Sequence, residues 1–189
     1  MRVLCQAFCE RKRKEVRLMA HDMEKLVSDI VKQVLGQESS DVKTTAAVKN
    51  SMTKMTLSAA KKTIEAVQKK ASEMGVKAVT AVADAGGNPI AVECMDDAFI
   101  ASYDIAVNKA FTVVSLKMPT KNLATLAAPG GSLYGIQFTN GGKIVIFGGG
   151  EPLTNKDGVI IGGLGVSGGT AEQDTLLGEY GRAYFESLN

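Results

Sequence analysis

The chain has 189 residues, 45% hydrophobic and 22% charged, with a formal net charge of +2, which suits one globular domain with some chain to spare. The positive excess sits in residues 1–20, where Arg2, Arg11, Lys12, Arg13, Lys14 and Arg17 meet only Glu10 and Glu15; the rest is about neutral to slightly acidic, which argues against a nucleic-acid footprint. No apolar run approaches the roughly 20 residues of a membrane span, Met1–Phe8 is too short and too quickly followed by charge for a signal peptide, and the odd set Cys5, Cys9 and Cys94 fits a reducing cytosol without a disulfide framework.

Residues 1–22 have neither helical nor strand periodicity. They read as a disordered basic tail or as translated leader, with Met19 or Met23 as the native start. The only histidine, His21, lies there and is expected to serve no site. Residues 23–36 form the next unit. Met23–Leu35 is an amphipathic helix in pattern, with Leu26, Val27, Ile30, Val31, Val34 and Leu35 on one face and Gly36 as its stop. Its polar face mixes Glu24, Lys25, Asp29 and Lys32, so a protein groove suits it better than a membrane surface, which favours Lys and Arg. Residues 37–54 are rich in Ser, Thr, Lys and Asn and read as a flexible linker. A short amphipathic helix on a tether ahead of a globular domain resembles the encapsulation peptides that load cargo into bacterial microcompartments. The resemblance implies a shell or cargo protein as the partner of residues 23–35.

The globular domain is expected over residues 55–189. Thr56 or Ser58 caps a helix with Ile64, Val67, Ala71 and Met74 on one face and Gly75 as its stop. Val76–Ala83 is a buried strand, Asp84–Asn88 a turn and Pro89–Met95 its hairpin partner. Asp96 or Asp97 caps a long helix from Ala98 to about Leu116. Pro119 breaks it, and Thr120 caps a short helix to Ala128. From Gly130 to Gly169 the chain holds 14 of its 20 glycines, so short apolar runs between them read as tightly turned strands: Tyr134–Thr139, Lys143–Phe147 and Val159–Val166. Thr170–Gln173 is a capping box opening a last helix to Leu188. The order αββααβββα implies an α+β fold, a mostly antiparallel five-stranded sheet flanked by helices.

Few motifs carry chemistry. Gly163–Gly168 matches GxGxxG, but the chain ends after the following helix, so no dinucleotide fold can be built; the match reads as a strand end turning into a capped helix. The domain lacks histidine, which excludes the usual nucleophile triads, and no zinc spacing exists. Asp96, Asp97 and Asp104 read as helix capping and solvated face. Cys94 and Met95 offer soft sulfur ligands or core packing. Lys109 either snorkels or holds an acidic group of a ligand.

VADAGGNPIA (Val82–Ala91), MDDA (Met95–Ala98), ASYDIAVNKAFT (Ala101–Thr112), APGGSLYGI (Ala128–Ile136), TNGGKIVIFGGGEPL (Thr139–Leu153) and IGGLGVSGGTAEQD (Ile161–Asp174) together resemble the GlcG/HbpS family, also found as the C-terminal part of PduO-type proteins. The resemblance implies a profilin/PAS-like fold, homo-oligomers and, for some members, haem. The family's histidine after the paired glycines is Asn88 here, and an amide is a poor iron ligand. Thr112 matches a threonine associated with the haem pocket. Met95 and Thr112 are the candidates for iron, with Cys94, Tyr103 and Lys109 as further substitutes. The cofactor set implied by the resemblance is Asn88, Met95, Tyr103, Lys109, Thr112, Gly130 and Gly131.

The expected function is that of an accessory haem (tetrapyrrole)-binding protein without independent catalysis, cytoplasmic and inside a microcompartment. Two rivals stand beside it. One is a corrinoid-linked, PduO-like enzyme or cofactor-maintenance protein of a diol, glycerol or ethanolamine pathway. The other is a structural oligomer with a vestigial pocket.

Overall fold

The computed structural model describes residues 52–188 and, before them, Lys25 alone. The expected leader, the helix at 23–35 and most of the linker lie outside the described residues.

The chain opens with helix α1, Leu57–Glu73. The Thr56 hydroxyl accepts from the Ala59 N–H at 3.2 Å, and Gly75, with φ +69°, ends the helix. Strands β1 (Val79–Asp84) and β2 (Pro89–Cys94) form the expected antiparallel hairpin. Helix α2 spans Ala101–Leu116, three residues later than expected, with no side-chain cap; Asp97 sits in the left-handed region at φ +63° instead of capping. Helix α3 is Thr120–Leu126. The Thr120 hydroxyl accepts from the Gly150 N–H at 2.9 Å, so it tethers a distant strand rather than capping its own helix. Strands β3 (Gly150–Thr154) and β4 (Ile160–Ser167) follow, then helix α4, Ala171–Leu188. Its capping box forms: Thr170 N–H to Gln173 Oε1 at 2.9 Å and Gln173 N–H to Thr170 Oγ1 at 3.2 Å.

The fold is α+β, and the described residues form one antiparallel sheet of four strands in the order β2-β1-β4-β3. The expectation of five strands needs correction in three places. Tyr134–Thr139 is not a strand: Ile136–Phe138 is a 3₁₀ turn, and Asn140, Gly141 and Gly142 follow with φ of +53°, +66° and +79°, a run no strand can hold. Lys143–Phe147 is not a strand either. Its backbone is satisfied by a side chain, since the Val145 N–H donates to Thr112 Oγ1 at 3.0 Å. Conversely, Gly150–Thr154 is a strand despite Pro152, which an edge position tolerates.

Alternation along the strands sorts side chains onto two faces. On one, α1 and α4 cover Val82, Leu153, Leu164 and Val166, with Ile64, Val67, Leu177 and Phe185 fully buried among them. Each such side chain contributes about 1.5–3 kcal/mol on burial. On the other face, α2 lies on Val79, Ala81 and Ala83 and on the glycines of β4. The GxGxxG stretch is the last part of β4, with Gly168 leading into the capped helix α4 as expected. A Cβ on Gly165 would stand 2.0 Å from the Ala106 carbonyl oxygen, and one on Gly163 would stand 2.3 Å from that of Ala110. Only glycine lets the helix backbone rest on the sheet backbone.

Candidate functional site

Helix α2 buries one broad face and leaves the other partly open. Ser102, Ala106, Lys109 and Val113 face the sheet and are buried. Tyr103, Val107 and Phe111, four residues apart, share a flank. Val107 packs beside Val92 against the small core of β1, and Tyr103 is 49% exposed. Phe111, half-buried, closes the far end of this flank beneath the β1–β2 turn: a Cβ on Gly87 would stand 2.8 Å from its ring. The Lys143 ammonium lies 5.4 Å from the centre of the same ring, within cation–π range.

The turn above Phe111 is organised by Asp84. Its Oδ1 accepts from the N–H groups of Gly86 at 2.8 Å and Asn88 at 2.9 Å, and the Asn88 side-chain amide donates to both of its oxygens at 3.2 Å. The Asn88 N–H above all holds the Asp84 carboxyl below its usual range; burial, the next influence, opposes it, and the Asn88 side-chain amide and the N–H groups of Gly86 and Gly87 add to the lowering. The Asn88 amide is thus turned onto Asp84.

Thr112 is buried beside this flank with its hydroxyl fully used: it donates to Asn108 O at 2.7 Å and accepts from Val145 N–H. Lys109 is completely buried. Its ammonium donates to Val166 O and Asp174 Oδ2, both at 2.7 Å, and faces the Phe147 ring at 4.8 Å. Burial pulls the Lys109 amine below its ordinary range, and Asp174 opposes that. Lys109 is therefore engaged within the fold rather than presented to a ligand. The Met95 sulfur accepts from the Ala78 N–H at 3.4 Å, and the side chain packs with the α1/α4 core, across the sheet from α2. Cys94 is an exposed free thiol. Gly130 and Gly131 build the turn after α3, where Gly131 N–H donates to Ala128 O at 2.8 Å.

The structure thus places Tyr103 near the start of α2, Thr112 in its second half and Asn88 in the turn over Phe111, and it leaves the side chains of Met95 and Lys109 elsewhere. Sequence reasoning did not single out Val107, Phe111 and Lys143. The i, i+4, i+8 spacing of Tyr103, Val107 and Phe111 was the available signal.

For a porphyrin, the α2 flank offers an apolar platform, and Lys143 offers a cation at its end for an acidic side arm. The platform brings no strong axial donor with it: the Asn88 amide, the Met95 sulfur and the Thr112 hydroxyl are engaged as described. The residues fit the macrocycle and its carboxylates but not firm ligation of its metal. Among the described residues no cluster of three or more His, Cys, Asp or Glu could hold a metal ion, and no helix is long and apolar enough to cross a membrane.

A 15.0 kDa protein from the dhaT-dhaS intergenic region of Citrobacter freundii is 49% identical over 134 residues, 71% of this chain and 94% of that protein. The corrinoid adenosyltransferase PduO of Salmonella typhimurium is 41% identical over 58% of this chain, but the match spans only 32% of PduO. Among solved structures, the Klebsiella pneumoniae protein ORFY superposes with a TM-score of 0.70 at 43% identity, covering 77% of this chain and all of that one. The complex of PduOC with heme gives 0.66 at 35% identity, covering 69% and 94%. Residues 55–183 match the family model described as haem degrading protein HbpS-like. With two thirds of its length matched by that model, and a relative 49% identical along nearly its whole length, this chain belongs to the HbpS-like family.

Proposed function

We propose that this protein is an accessory haem-binding protein whose macrocycle rests on the α2 flank of Tyr103, Val107 and Phe111, with Lys143 meeting a propionate. The observation that carries this reading is the apolar flank ending at Phe111 under the Lys143 ammonium. The heme complex of a 35% identical neighbour supports it. Haem supplies an iron that exchanges ligands and electrons. The protein's own residues supply an apolar seat and a cation, so the role is holding haem rather than transforming it.

The test is a titration of the full chain with haemin, read at the Soret band. A saturable shift is expected. Lys143→Ala should weaken it by about tenfold, the worth of one charge-assisted hydrogen bond, and Phe111→Ala should weaken it at least as much. A flat titration would sink the reading. Cobalamin in the same cell tests the corrinoid alternative, favoured by the 41% identity to part of a corrinoid adenosyltransferase.

Residues 23–35 make the protein cargo of a bacterial microcompartment in this proposal, with the apolar side chains from Leu26 to Leu35 docking in a shell or cargo groove. Deleting residues 23–36 should leave haem binding unchanged and remove the protein from purified compartments. Undiminished co-purification would refute the targeting role.

A further inference from the structure

Glu151, the second residue of β3, points with Leu153 and Leu164 into the face covered by α4, and it is only 2% exposed. Its Oε2 lies 3.3 Å from Arg182 Nε, but the approach is not a hydrogen bond, and Oε1 has no hydrogen-bond partner at all. Gly178 of α4 packs directly over it: a Cβ there would stand 3.3 Å from Glu151 Cγ. A carboxylate held this way has lost its water and received little in return.

The charged groups around it come from two elements. Helix α4 contributes Arg182, Glu179 and Glu186; helix α3 contributes Lys121, itself paired with Glu179. Arg182 is 43% exposed and is shared with Glu186 at 3.7 Å, so its field at Glu151 is partly screened. The two cations favour the carboxylate, the two glutamates oppose it, and burial, the largest influence, also opposes it; the carboxyl is pushed above the ordinary glutamate range.

We propose that Glu151 is a proton-binding site built into the β3–α4 seam, which takes up a proton on mild acidification and thereby tightens the C-terminal helix on the sheet. The sign follows from linkage. When the folded state holds a carboxyl proton more tightly than the unfolded chain, the stability from that group is fully present below the unfolded pKa. It is lost as pH rises through the folded one. The domain then carries one group that works against ordinary acid denaturation.

Three measurements on the full chain decide the matter. Titration of the Glu151 side-chain carboxyl by carbon NMR in the wild-type protein should give a midpoint clearly above about 4.3, the value for an exposed glutamate. Urea unfolding of wild type and Glu151→Gln between about pH 5 and about pH 8 should show the wild type losing stability relative to the variant as pH rises. The ratio of their unfolding constants should change roughly three- to tenfold. Protection factors of the α4 amides, which remove the intrinsic pH dependence of exchange, should rise at the acidic end in the wild type alone. A midpoint at or below the ordinary value, or a wild type that gains on Glu151→Gln as pH rises, would overturn the proposal. The NMR midpoint decides even if the variant folds poorly.

Discussion

Two buried charges lie against α4, and they are treated in opposite ways. The Lys109 ammonium is surrounded: a carbonyl, a carboxylate and an aromatic face take it, and the Asp174 carboxylate is itself tied to the Gly169 N–H at 2.9 Å. The Glu151 carboxylate has one loosely placed guanidinium and one orphan oxygen. A fully partnered buried charge fastens elements together, here α2, β4 and the start of α4. A half-partnered one keeps its affinity for a proton.

The largest effect is expected at Lys109. Lys109→Ala leaves the buried Asp174 without its cation and should cost about 3–5 kcal/mol in urea unfolding. Replacing both partners, Lys109→Met with Asp174→Leu, should recover much of that, because a dry apolar pair leaves no uncompensated charge. If the double variant is as unstable as the single one, the pair is doing more than neutralising itself. At the small end stands the exposed pair Lys121–Glu179. Lys121→Ala should change stability by less than about 1 kcal/mol, since both partners are well solvated. It should nevertheless raise the Glu151 midpoint slightly, because it removes one of the two cations that favour the carboxylate. A downward movement would contradict the electrostatic account of the seam.

What was legible in the sequence was local. The Thr56 cap, the Gly75 stop, the Asp84–Asn88 turn and the Thr170–Gln173 box each need only a few neighbouring residues, and each forms. What was not legible depends on partners far along the chain. The β-branched run at Lys143–Phe147 has strand composition, yet its N–H goes to Thr112, 33 residues away. Lys109 was readable as a ligand-holding or snorkelling lysine because its true partner, Asp174, lies 65 positions on. Gly163 and Gly165 fell inside the expected strand Val159–Val166, but the reason for glycine there, a helix backbone lying on them, is a tertiary fact. The same holds for the site. Asn88 and Tyr103 could be named from the family resemblance, whereas Phe111 and Lys143 became visible only once the turn folded over the ring.

That glycine-on-helix seam bears on ligand binding in a way that mutational energies do not express. Where Ala106 and Ala110 rest on the bare backbone of Gly163 and Gly165, no side chain lies between α2 and β4 to compress, slide on or repack. Its outer flank is therefore held at a fixed height above the sheet before any ligand arrives. A flat guest settling on Tyr103, Val107 and Phe111 meets a surface whose ordering was completed when the domain folded, and preorganisation of this kind converts contact into affinity with little entropic loss.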